Sequence, residues 1–139
     1  MAGRLLALAA LWGAAGVALG AFGAHALDGV LRPERLVTFE TAVRYHLIHA
    51  LAAGMAASLG GRVRGAALAA TLLLTGSAVF AGSLYALVAT DVGAFGAVAP
   101  VGGAAMIAGW LTLAWGAWRS PASDARRGPA PAKRTDEPT

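Results

Sequence analysis

Three histidines, two tyrosines and one aspartate are the groups in this chain whose types and spacing can do chemistry. His46-Leu-Ile-His49 sets two imidazoles one helical turn apart on one face. His25 can add a third nitrogen, and Asp91, Glu40 or Asp28 can complete a metal-ligand set. Tyr45 and Tyr85 are the phenolic partners for such a cluster. Haem ligation by His25 and His49 from neighbouring helices is a second chemistry that a helical bundle can carry. The plainer use of the same groups is an interhelical hydrogen bond, for instance His25 to Tyr45, Tyr85 or a loop carbonyl. With no cysteine in the chain, disulfides, thiolate metal sites and iron–sulfur clusters are excluded. No nucleophile–base pair is legible, because no acid is placed to orient an imidazole beside Ser83. The glycine-rich runs lack the Gly-Lys-Ser/Thr of a phosphate loop. The expectation is therefore no catalytic residue, metal or cofactor. A binding module for an ion, haem or lipid built on the histidines is the sharper alternative.

The elements that must position these groups are membrane helices. Hydrophobic residues make up 58% of the 139 and charged ones 13%, about half of what soluble domains carry. Mean hydropathy is +0.64. Four apolar runs, about 5–24, 42–60, 66–89 and 98–118, are each long enough to cross a bilayer. Residues 1–118 thus read as an all-α bundle of four membrane helices. Residues 119–139, basic and proline-rich, read as a disordered cytoplasmic tail. The first run also has the outline of a secretory signal, with Arg4 before the apolar stretch and Ala24-His25-Ala26 after it. The three apolar runs that follow favour a retained crossing. The polar segment from Asp28 to Thr41 reads as a short interfacial helix that runs or bends into the second span, with Pro33 and Glu34 at its N-terminus. No carboxylate falls inside any of the four runs so drawn. That argues against a proton-coupled carrier and leaves a small transporter as a further alternative, behind the structural reading.

Glycine spacing says how the helices meet. Gly13, Gly16, Gly20 and Gly23 are three, four and three apart and share one face of the first helix. An interior glycine costs a soluble helix about 1 kcal/mol against alanine. In lipid it permits close backbone approach, so the stripe reads as a packing seam. Gly102, Gly109 and Gly116, seven apart, give the fourth helix a second seam. One seam can serve internal packing and the other an external partner, either a second copy or a larger membrane complex.

Charge placement orients the bundle. The net charge of +4 is not a nucleic-acid stripe, because five of the eleven Lys and Arg lie in the last 21 residues and the rest flank apolar runs. Four crossings put Arg4, Arg62, Arg64, Arg119, Arg126, Arg127, Lys133 and Arg134 on one side, against Arg32, Arg35 and Arg44 on the other. Eight against three places both termini in the cytoplasm. All three histidines, both tyrosines and Asp91 then gather near the outer face. Membrane lipid is the partner that this arrangement implies directly.

Four stretches carry a family resemblance. Gly20-Ala-Phe-Gly-Ala-His-Ala-Leu27 resembles the signature of the bacterial YgdD family, the domain-of-unknown-function 423 proteins, and of the animal transmembrane protein 256 group. Phe39-Glu-Thr-Ala-Val-Arg-Tyr45 with His49-Ala-Leu51, Phe80-Ala-Gly-Ser-Leu-Tyr85, and Ala99-Pro-Val-Gly-Gly103 with Gly109-Trp110 are similar to it in the same order. Many members carry glutamine where this chain has His46. The resemblance implies a small four-span protein of the bacterial inner membrane. It implies no reaction.

Overall fold

A computed structural model describes residues 1–27 and 29–120. Asp28 and the expected tail, apart from Arg119 and Ser120, lie outside the described residues. Four long helices run in order: α1 (Ala2–Phe22), α2 (Pro33–Ser58), α3 (Ala66–Thr90) and α4 (Ala99–Arg119). A π-helical turn, Gly23–Leu27, extends α1, and a 3-10 segment, Gly93–Val98, leads into α4. Each helix packs chiefly on its sequence neighbour, and α1 also touches α3, so α1 and α4 form the two flanks.

Helices α1, α3 and α4, with their short extensions, are long and apolar enough to cross a membrane. Helix α2 matches them in length, but Arg44, Tyr45, His46 and His49 interrupt its apolar half. No separate interfacial helix precedes it. Pro33 supplies the first turn, Arg32 stands extended before it, and the polar segment continues unbroken into the apolar one. This moves residues relative to the span drawn from 42. Tyr45 and His46 are not one turn inside the helix but more than three.

The two ends of the bundle are packed differently. Near the termini the core is mostly alanine: Ala9, Ala52, Ala53, Ala56, Ala57, Ala69 and Ala70, closed by Leu73 and Leu113. Small side chains let four backbones converge there. The Gly60–Gly65 turn is tight because Gly61 and Gly65 take positive φ, 85° and 74°. Arg64 N–H donates to Ser120 Oγ at 3.2 Å, and Ser120 Oγ donates to the Gly116 carbonyl at 2.8 Å, so this turn holds the end of α4. At the opposite end Asp91 closes α3 in the left-handed region, φ 57°. Its carboxylate binds Arg32 at 2.6 Å and Arg35 Nε at 2.7 Å, which joins the end of α3 to the start of α2.

Both glycine stripes face helices of the same chain. On α1, a Cβ at Gly13 would meet Ala50 at 3.6 Å, at Gly16 Leu47 at 2.8 Å, and at Gly20 Val43 at 3.2 Å; at Gly23 it would run into the Phe39 ring. On α4, Gly102 lies against the backbone of Gly76 and Phe80, Gly109 against Leu73, and Gly116 against the Arg64 carbonyl. The expectation that one stripe serves an outside partner is thereby corrected: α2 occupies the first, and α3 with the turn before it the second.

Candidate functional site

The polar centre of the molecule is His46, fully buried on α2. Its Nε2 lies 2.7 Å from the Trp12 carbonyl oxygen and its Nδ1 3.2 Å from the Tyr85 hydroxyl. A carbonyl only accepts, so Nε2 carries the proton. Nδ1 of the neutral ring then accepts from Tyr85 O–H. The imidazole stacks on the Trp12 indole, centroids 3.8 Å apart. Trp12 Nε1–H in turn donates to Ser77 Oγ at 2.9 Å. One continuous network thus joins α1, α2 and α3 where Ser77 stands, about halfway along α3.

Local sequence explains why the ring fits. The Trp12 carbonyl points along α1 toward residue 16, one turn on. Residue 16 is glycine, and a Cβ there would meet the His46 ring at 3.1 Å. The bare backbone lets the imidazole reach a carbonyl that α1 already uses in its own ladder, through that oxygen's second lone pair.

His49 makes the second tie. Its Nδ1–H donates to the Tyr45 carbonyl at 2.8 Å within α2, and its Nε2 accepts from Trp110 Nε1–H at 3.4 Å, reaching α4. Tyr45 stacks on His49 and packs on Phe80, half-exposed itself. Among the described residues no buried side-chain nitrogen or oxygen lacks a hydrogen-bond partner.

Of the six candidate residues the structure joins four in pairs, His46 with Tyr85 and Tyr45 with His49, and leaves His25 and Asp91 apart from them. His25 is exposed in the π-helical turn and makes no hydrogen bond among the described residues. Asp91 is held by Arg32 and Arg35 instead of the histidines. His46 lies in the middle of the bundle, because α2 starts at Pro33 and carries the ring inward. Among the described residues no three His, Asp or Glu side chains converge as metal ligands. The reading also missed two participants, Trp12 and Ser77. An indole N–H in an apolar run needs an acceptor, and that was the available signal. Thr71, Thr75 and Ser83 donate to carbonyls of their own helix α3, whereas Ser77 Oγ accepts from Trp12. Because α2 continues through the polar segment, Glu40 stands on the same helix as the apolar run drawn from 42.

Long apolar helices joined by internally satisfied polar ties define the class: a small helical membrane protein. The family model described as "Protein of unknown function (DUF423)" matches residues 19–103, and the chain belongs to that family. It is 39% identical over 100 residues to the UPF0382 membrane protein YwdK of Bacillus subtilis, covering 70% of this chain and 81% of the relative. It is 36% identical over 121 residues to a UPF0382 membrane protein of Haemophilus influenzae, covering 86% and 98%. Against the UPF0382 inner membrane protein YgdD of Escherichia coli the identity is 35% over 117 residues, covering 83% and 89%. No solved structure matches the chain. The family's function is unassigned, and the chain is an integral membrane protein of that uncharacterised family.

Proposed function

We propose that the protein is a structural or accessory component of the bacterial inner membrane, crossing it four times with both termini in the cytoplasm. The observation that supports this is how the buried imidazoles are used. Both ring nitrogens of His46 and both of His49 are engaged with other groups of the same chain. Groups committed to holding helices together are poor candidates for ligation or proton transfer. The flanks on α1 and α4 carry exposed Leu8, Leu11, Leu111 and Trp115, surfaces suited to lipid or to another membrane chain.

The test is purification in mild detergents, read by mass and by copurifying subunits. Self-association or a recurrent membrane partner is the expected result. A protein that is monomeric and alone in every mild detergent overturns the accessory role. Zinc titration and the visible spectrum address the ligand-binding alternative. Heat or a Soret band that disappears in a His49→Gln variant would move the assignment to a metal or haem protein.

A further inference from the structure

Between the C-terminal half of α1 and the N-terminal half of α2 lies an open groove of about 530 Å³. Gly20 and Gly23 leave one wall without side chains, Phe39 and Val43 line it, and Glu40 and Arg44 stand on its α2 side. Glu40 and Arg44 are exposed, one helical turn apart. The ion pairs among the described residues are those of Arg32 and Arg35 with Asp91, so neither Glu40 nor Arg44 is paired there. Measured from Arg35, Glu40 lies ~7.5 Å and Arg44 ~13.5 Å further along the helix. Both lie where α2 passes from its polar start to its apolar half, the level at which a long side chain can rest on hydrocarbon and reach headgroup charges.

The same seam continues toward the termini as an apolar track. Val17, Gly13 and Leu6 line it on α1, and Leu47, Leu51 and Met55 on α2. These positions recur at three- and four-residue spacings with Gly20 on α1 and with Glu40 and Arg44 on α2. Track and groove therefore lie on one face of the α1–α2 pair.

We propose that this face binds a phospholipid whose headgroup carries a phosphate and a primary ammonium. The phosphate sits on Arg44, the ammonium on Glu40, and an acyl chain in the apolar track. The order of charges carries the assignment. From the bilayer interior outward, such a lipid presents hydrocarbon, then phosphate, then ammonium. The protein presents Leu51 and Leu47, then Arg44, then Glu40. The arginine stem lies along apolar surface and lifts the guanidinium toward the phosphate level. A planar guanidinium matches two phosphate oxygens. The carboxylate disfavours an anionic headgroup and finds N–H donors on a primary ammonium that a quaternary one lacks. This inference rests on α2 being a membrane crossing.

The experiment uses the full chain in mild detergent. Phosphatidylethanolamine, phosphatidylglycerol and phosphatidylcholine with identical acyl chains are offered together, and bound lipid is read by native mass spectrometry. The expected preference for phosphatidylethanolamine is about fivefold, the factor that one partly exposed ionic contact supplies. Arg44→Gln should lower that adduct by a similar factor. Glu40→Gln should reverse the order in favour of phosphatidylglycerol, an inversion that a merely structural role would not produce. Equal binding of the three lipids by the unaltered chain, or an unchanged order in Glu40→Gln, overturns the assignment. Helicity and elution volume report whether the variants fold, and the competition on the unaltered chain decides the matter if they do not. Thiol labelling on either side of α2 reads the crossing separately, so its failure is distinguishable from failure of lipid selection.

Discussion

The His46 imidazole donates to the Trp12 carbonyl at 2.7 Å while lying flat on the same residue's indole, so α2 grips both the backbone and the side chain of one position on α1. What position 46 requires is one donor and one acceptor, set apart by the width of a small planar group. A neutral imidazole meets that, and so does a carboxamide. We expect His46→Gln to keep its stability within about 0.5 kcal/mol, and His46→Leu to lose about 1–2 kcal/mol, the upper range for a hydrogen bond between membrane helices. Reversible unfolding in mixed detergent measures both. A glutamine variant as unstable as the leucine variant would show that the ring stacked on Trp12, and not the donor and acceptor alone, is what position 46 requires.

Helices α3 and α4 touch backbone to backbone where Gly76 faces Gly102. A Cβ on Gly76 would stand 2.8 Å from Met106 N, and one on Gly102 2.6 Å from the Gly76 carbonyl oxygen. No rotamer change relieves a clash with backbone. Gly102→Ala should therefore destabilise by about 2 kcal/mol or more. Gly103→Ala, one residue on with open space around its Cβ, should be neutral or stabilising by up to about 1 kcal/mol. Equal effects at the two positions would contradict the helix crossing described.

Asp91 lies outside the membrane helices' apolar length, and its carboxyl is held below the usual carboxylate range, first by the Arg35 hydrogen bond and further by Arg32. A depressed folded-state value means that the contribution is present at and above neutral pH. It fades as pH falls through the ordinary carboxylate range and is gone below the folded-state value. The melting temperature of the native chain should drop on acidification, and Asp91→Asn should flatten that limb. Asparagine tolerates the left-handed backbone at this position, so the comparison isolates the charge. Because the carboxylate is exposed, added salt should shrink the difference.

The chain's lack of cysteine makes every introduced thiol unique. Val30, Gly93 and Gly3 are exposed, and nothing stands where a side chain would grow on either glycine. With four crossings, Val30→Cys and Gly93→Cys should react with a membrane-impermeant maleimide from the periplasmic side of intact cells. Gly3→Cys should react only after lysis. Labelling of Gly3→Cys in intact cells would contradict a crossing by α1, and labelling of only one of Val30→Cys and Gly93→Cys would contradict the paired crossings of α2 and α3.

Apolar length and glycine spacing were legible before any coordinates, since both act through short-range geometry along one helix. Gly13 through Gly23 had to share a face, and that face had to meet something. What the residues left open was which neighbour it met. His46 stands further along its helix than the residues suggest, for a single reason. Arg35, Glu40 and Arg44 look like a boundary, yet a helix begun at Pro33 has no cause to stop at Thr41. Continuing it carries His46 about three turns into the bundle. Trp12 and Ser77 escaped notice because each looks unremarkable in an apolar run. Their partnership spans 65 residues of sequence, and no local pattern encodes it.

The Trp12–His46 contact also bears on how the chain is built. During synthesis α1 emerges first and α2 second, so the carbonyl that His46 needs is already at hand when the imidazole meets hydrocarbon. Ser77 and Tyr85 arrive only with α3. The first two helices can thus settle as a provisional hairpin with one nitrogen of His46 satisfied, and the third locks it.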